Sequence, residues 1–136
     1  MNLGQKLEIG SKQSEQKETY DGVTIDVQKI PDGDGIILNV TAERNLLHSP
    51  HLLDEMIQKY LQENTEILII NLENIKKIQS AALGILIKYT KHDIPKRIRL
   101  VFSKTTIDYF KTLKFEKWIP FYSSVEEAMA AVQSAK

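Results

Sequence analysis

The chain has 136 residues, 42% of them apolar, which suits one packed domain and excludes global disorder. Its 18 Lys and Arg balance 18 Asp and Glu, so no net field draws it to DNA, RNA or an anionic membrane. With no cysteine, a disulfide framework, a thiol nucleophile and thiolate metal sites are excluded.

Residues 1–21 are mostly Gln, Lys, Glu, Ser and Gly, with Leu3, Leu7 and Ile9 among the few apolar positions. Such a composition cannot offset its ordering entropy. It reads as a flexible N-terminal arm with some strand character around Leu7–Ile9, leaving residues 22–136 as the folded domain. The opening MNLGQKLEIG has no apolar core behind a basic patch, and apolar runs such as Ile67–Ile70 fall far short of the roughly 20 residues of a membrane helix. A soluble, cytoplasmic protein without membrane insertion is the expectation.

Val23, Ile25 and Val27 alternate with polar neighbours, the period of a half-buried strand. The turn formers Pro31–Gly35 follow, and Ile36–Val40 resumes as a strand, which predicts a β-hairpin. Ser49-Pro50 opens a helix with Ser as cap, and Leu53, Met56, Ile57, Tyr60 and Leu61 share its apolar face. The nearly continuous apolar run Glu66–Leu72 suits a central strand covered on both sides. A second helix is predicted from Ser80 to about Lys91, and a strand over Arg97–Phe102. Next come a short helix over Thr105–Phe115, with Ile107, Phe110 and Leu113 inward, and an edge strand, Trp118–Tyr122, interrupted by Pro120. A capping box, Ser124 to Glu127, starts the last helix. The predicted fold class is α/β: a mixed sheet that begins with a hairpin and continues in parallel βαβ units, with four helices.

The sequence carries few motifs of catalysis or ligand binding. No Gly-x-Gly-x-x-Gly, phosphate-binding loop or Gly-x-Ser-x-Gly elbow is present, so neither an enzyme nor a cofactor is expected. His48 and His51 flank Pro50, which prevents a regular helical spacing, and His92 is far along the chain; this reads as a polar loop, not a zinc site. Asp32-Gly33-Asp34-Gly35 echoes the start of a calcium loop, but a strand separates it from Glu43 at the twelfth position, so a β-turn is expected. Between residues 88 and 117 nine basic residues face three acids. That excess reads as a solvated rim. The competing idea is a pocket for a small anionic ligand, lined by several of Lys96, Arg97, Lys104 and Lys111. Phe102, Tyr109, Phe110 and Phe115 are assigned to the core, which leaves no exposed aromatics for nucleic acid.

The segment Ile69–Tyr89 carries the most information. Its strand ends at Leu72, a polar turn follows, and Gln79-Ser80 stands at a helix start. Ser80 is expected as the N-cap, where the free N–H groups and the positive end of the macrodipole also tolerate an anion. A phosphate there adds about −1.5 to −2 charges at small structural cost.

This order of elements, with Gln79-Ser80-Ala81-Ala82-Leu83-Gly84 preceded by INLENI and followed by TLKFEKWIPFYSSVEEAM, resembles the STAS domain family over residues 22–133. It is most similar to the bacterial anti-sigma factor antagonists, which carry Asp-Ser-Ser/Thr-Gly-Leu-Gly at that helix start. The resemblance implies a STAS-like fold and a non-enzymatic protein-interaction module. Ser80 would be phosphorylated by a partner serine kinase that doubles as the anti-sigma factor, which breaks the complex. It also implies a docking loop, where Glu43 and Asn45 take the polar positions of the family's Gly-Glu-Leu-Asp. The implied docking set is Glu43, Asn45, Gln79, Ser80, Ala81 and Leu83. Gln79, Ala81 and Ala82 depart from the family pattern, which favours the alternative of a constitutive, unphosphorylated scaffold. Ala82 adds a methyl group expected to restrict close backbone approach. Gly84, costing about 1 kcal/mol in mid-helix relative to Ala, implies a close packing contact.

Overall fold

Val23–Lys29 (β2), with alternating burial, and Gly35–Ala42 (β3), with Ile37 and Leu38 buried on opposite faces, form two antiparallel strands, in register from Val23 opposite Ala42 to Lys29 opposite Ile36. The computed structural model describes residues 16–20, 22–30, 35–47, 50–63, 65–92, 97–114 and 121–134. The predicted turn residues 31–34, with Asp32 and Asp34, lie outside these, as do His48, the proposed cap Ser49, and residues 115–120 with Phe115 and Pro120.

One strand was not legible in the composition. Gln16–Tyr20 (β1), within the stretch read as an arm, pairs antiparallel with β2 from Gln16 opposite Val27 to Tyr20 opposite Val23. Its polar sequence has no strand periodicity; what holds it is the ladder and one carboxylate. Glu18 accepts hydrogen bonds from both Lys59 and Tyr60 at the end of the helix Pro50–Tyr60 (α1).

The chain then follows the expected βαβ course. Ile67–Leu72 (β5) pairs parallel with β3, Ile98–Phe102 (β7) parallel with β5, and Phe121–Tyr122 (β8) parallel with β7. Among the described residues this makes a six-stranded mixed sheet, ordered β1-β2-β3-β5-β7-β8. Phe121–Tyr122 sits at the sheet edge, where a strand beside a proline belongs. A second, two-stranded sheet, Leu46–Leu47 (β4) with Lys77–Ile78 (β6), lies outside it.

Three helices cover one face of the large sheet: α1, Ser80–His92 (α2) and Lys104–Thr112 (α3). Leu53 and Ile57 of α1, Ala82 and Leu86 of α2, and Phe110 of α3 join Leu38, Leu68, Ile70 and Leu100 in one core. Phe102 anchors α3, meeting Phe110 edge-on at 5.1 Å between ring centroids and Phe121 at 5.4 Å. On the other face Val125–Ser134 (α4) packs Ala128 over Ile37, Ile69 and Val101. β5 is therefore buried on both faces, as its continuous apolar run requires. The start of α4 is capped by Ser124, whose Oγ accepts from the Glu127 N–H at 3.0 Å, while Glu127 reaches back to the N–H of Ser123 at 2.7 Å.

At the surface, α1 and α2 are clasped by polar groups. The Tyr89 hydroxyl donates to Asp54, and Gln58 bridges the two at 3.2 and 3.3 Å. The Tyr89 hydrogen bond holds the Asp54 carboxyl below its ordinary range. No described helix is long and apolar enough to cross a membrane.

The Tyr60 phenol is pushed up to about 12, first by burial and then by its hydrogen bond to the Glu18 carboxylate. A folded-state value above the ordinary 10.0 contributes stability in full below pH 10, and that contribution is lost as the pH rises through about 12. Absorbance titration should find one tyrosine ionising near 12 together with loss of structure, and Tyr60→Phe should remove that alkaline step. Ordinary midpoints for all five tyrosines would contradict the Glu18–Tyr60 contact.

Candidate functional site

The parallel polarity of β5 and β7 brings the starts of α2 and α3 to the same edge of the sheet, the edge where α/β folds hold their binding sites. The local sequence then decides what each helix start presents.

At α2 the boundary residue is Gln79, whose carbonyl accepts the first intrahelical bond from the Leu83 N–H at 3.0 Å. Ser80 is thus the first helical residue and not the N-cap expected from sequence. The reason lies one residue earlier. The Gln79 N–H is already committed to the Leu47 carbonyl at 3.0 Å, which ends β6 and sets the helix to begin at Ser80. Ser80 is exposed, and the N–H groups of a helix's first turn have no intrahelical acceptor.

Helical geometry sorts the rest of the motif. Ser80, Ala81, Gly84 and Lys88 fall on one exposed face, and Ala82, Leu83, Leu86 and Thr90 on the buried one. Two expectations change accordingly. Leu83, counted among the docking residues, packs in the core with 9% exposure. Ala82 is fully buried, so its methyl group meets the core and leaves the outer face alone. The packing contact inferred for Gly84 is also absent, since a Cβ there would meet nothing within 4 Å.

The predicted docking loop is built by a tight turn, Glu43–Asn45, in which Arg44 takes φ 58° and ψ 15°. That left-handed conformation costs a non-glycine residue about 1–2 kcal/mol. Contacts on both sides hold it. The Glu43 N–H donates to the Gly22 carbonyl at 2.9 Å, and β4 pairs with β6 through Leu46 opposite Lys77 and Leu47 opposite Ile78. Gly22, at φ 83°, lets the Glu43 carboxylate lie close, since a Cβ there would come within 3.1 Å of it. The exposed Glu43 and the backbone of Asn45 are thereby tied, through Leu47, to the residue preceding Ser80. Two-residue strands have no periodicity to read, which is why sequence reasoning missed this link.

Other sequence candidates are not brought together. Arg97 and Lys104 stand at opposite ends of β7, and Arg97 donates to the backbone carbonyls of Gln62 and Thr65 at 2.9 and 3.4 Å. Lys111 is exposed on α3, and Lys96 lies outside the described residues. Among the described residues, the basic side chains therefore do not converge on one pocket. His51 is exposed on α1, and among the described residues no group of three His, Cys, Asp or Glu is placed to hold a metal ion.

α3 holds a further correction. Phe102 and Phe110 are core as expected, but Tyr109 is 61% exposed and Leu113 is 45% exposed. Tyr109 lies outside Phe110, its ring tilted against that of Phe110 at 6.1 Å between centroids, and the helix ends at Thr112, before Leu113 can be carried inward.

A family model described as the STAS domain matches residues 15–128. An anti-sigma factor antagonist from Mycobacterium paratuberculosis has a similar structure, with a TM-score of 0.67 at 20% identity, covering 85% of this chain and 98% of that one. A Thermotoga maritima protein assigned as an anti-sigma factor antagonist gives 0.61 at 16% identity, over 80% and 94% of the two chains. A Shewanella loihica protein with a SpoIIAA-like fold gives 0.53 at 10% identity, over 86% and 98%. No curated protein matches the chain in sequence. At these identities the likeness is one of fold.

Two substitutions probe the geometry. Gly84→Ala should stabilise the chain by about 1 kcal/mol in urea denaturation, because the glycine penalty is removed and the site is open; destabilisation would reveal a contact. Leu47→Ala, at a fully buried position, should cost about 2–5 kcal/mol and speed hydrogen exchange at the Gln79 amide. Unchanged protection there would show that the loop and the helix start are independent.

Proposed function

The chain belongs to the STAS domain family, and we propose on that premise that it is a non-enzymatic regulator of the anti-sigma factor antagonist type. In this reading it is a cytoplasmic protein whose partner is an anti-sigma factor or serine kinase, and Ser80 is the residue the partner phosphorylates. The docking face combines Glu43 and Asn45 of the loop with Gln79, Ser80 and Ala81 at the start of α2.

The single observation that carries the reading is the exposed hydroxyl of Ser80 at the first position of α2, beside a loop bonded to the preceding residue. A phosphate there meets the helix's free N–H groups and disturbs no packed side chain. It also changes the charge of the face by about −1.5 to −2. Fold stability and partner affinity are thus separable at this position, as a reversible switch requires.

The replacements Gln79 and Ala81 support a second reading, a constitutive scaffold. Gln79 is exposed and uncharged, and Ala81 leaves Ser80 as the only hydroxyl in the motif. The mass of the protein from its native cell separates the two: a gain of about 80 Da at Ser80 marks the switch, and its absence under all growth conditions marks the scaffold.

Ser80→Asp should weaken binding to the captured kinase or anti-sigma partner more than tenfold, or about 1.4 kcal/mol, while Ser80→Ala binds as the wild type does. Thermal unfolding should be little changed in both. Unaltered affinity in Ser80→Asp, or an unfolded protein, would reduce Ser80 to a helix-start residue with no regulatory part.

A further inference from the structure

The exposed helix start opens onto a groove that no role assigned so far requires. It encloses about 710 Å³ between the segment Lys76–Gln79 and the first turns of α3. Leu46, Ile78 and Phe110 supply its apolar side, Thr106 a hydroxyl, and Tyr109 one lip. Among the described residues, the two large apolar side chains left in water are Tyr109 and, one helical turn further, Leu113. Of the two, Tyr109 lines the groove, and a large apolar ring left in water beside an apolar trough is more informative than one isolated on a polar surface. Tyrosine suits such a lip, with a flat apolar ring and a polar tip that remains satisfied when wet.

Charge selects the occupant. Lys76 and Lys77 are exposed on the other lip, and among the described residues that line the groove there is no carboxylate. An apolar trough with a positive rim is complementary to a segment that carries carboxylates around one or two apolar anchors. We propose that this groove is the docking channel for an acidic, amphipathic segment of the protein partner, and that a phosphate on Ser80 expels that segment by charge. Gln79 lines the groove and Ser80 follows it directly, three residues after Lys77. Negative charge at Ser80 therefore competes for the same lysines and repels the same carboxylates. The expulsion rests on the switch reading of Ser80; the docking channel does not.

The test uses the full-length chain and a displayed library of random twelve-residue peptides, followed by synthesis of the strongest binder. Selected peptides should be rich in Asp and Glu around an aromatic or aliphatic residue. The synthetic peptide should shift the amides of Lys77, Thr106 and Tyr109 in a proton–nitrogen NMR spectrum. Its affinity should fall at least tenfold in Lys76→Glu/Lys77→Glu and in Tyr109→Ala, all exposed positions where folding is undisturbed, and severalfold in Ser80→Asp. Peptides without acidic bias, shifts that map elsewhere, or affinity indifferent to both groove variants would overturn the channel. The same shifts produced by inorganic phosphate alone would also overturn it, in favour of a simple anion site. Loss of binding in the groove variants with none in Ser80→Asp would leave the channel standing and refute the charge switch.

Discussion

The short parallel pairing of Leu46–Leu47 with Lys77–Ile78, extended by the Gln79 N–H on the Leu47 carbonyl, is the contact on which the rest of the site depends. Each such bond is worth only about 0.5–1.5 kcal/mol net. These are reinforced because Leu47 is fully buried, so the loop cannot leave without exposing a core side chain. The pairing fixes where α2 begins, holds the left-handed turn at Arg44, and places the loop next to Ser80. It also forms one wall of the groove facing α3, since Leu46, Lys77 and Ile78 are shared by both.

α2 itself satisfies two separate demands. Its inner face supplies Ala82, Leu83, Leu86 and Thr90 to the core, with the Thr90 hydroxyl donating to the Leu86 carbonyl at 2.7 Å. Its outer face keeps Ser80, Ala81 and Gly84 small and exposed. The two faces are separable because residues three and four apart stack on one side of a helix. Chemistry at Ser80 therefore has little leverage on folding, and packing changes at Leu83 have little bearing on what a partner meets.

The fold was legible to the extent that it is written in periodicity. The alternation at Val23–Val27 and the apolar stripe of α1 each reflect one buried face, the unbroken run Ile67–Leu72 reflects two, and each produced the expected element. The elements that escaped lack a period. Gln16–Tyr20 is mostly polar and is a strand because β2 offers it an edge, with Glu18 anchored on Lys59 and Tyr60. The two-residue strands of the small sheet are shorter than one repeat of any pattern. Likewise Tyr109 and Leu113 belong by type to a core, and only the direction and end of α3 leave them in water.

By itself, the amino-acid order determined the mixed α/β class, the sequence of elements and the position of Ser80 at a helix start. These follow from hydrophobic spacing and turn chemistry, which act between neighbours in the chain. Tertiary structure alone decided that Leu83 and Ala82 face inward, that Gly84 stands in open space, that the described basic residues disperse, and that the loop, α2 and α3 line a groove. Those outcomes depend on which distant segments meet, and the energy of a long-range contact is not encoded in the local spacing of either partner.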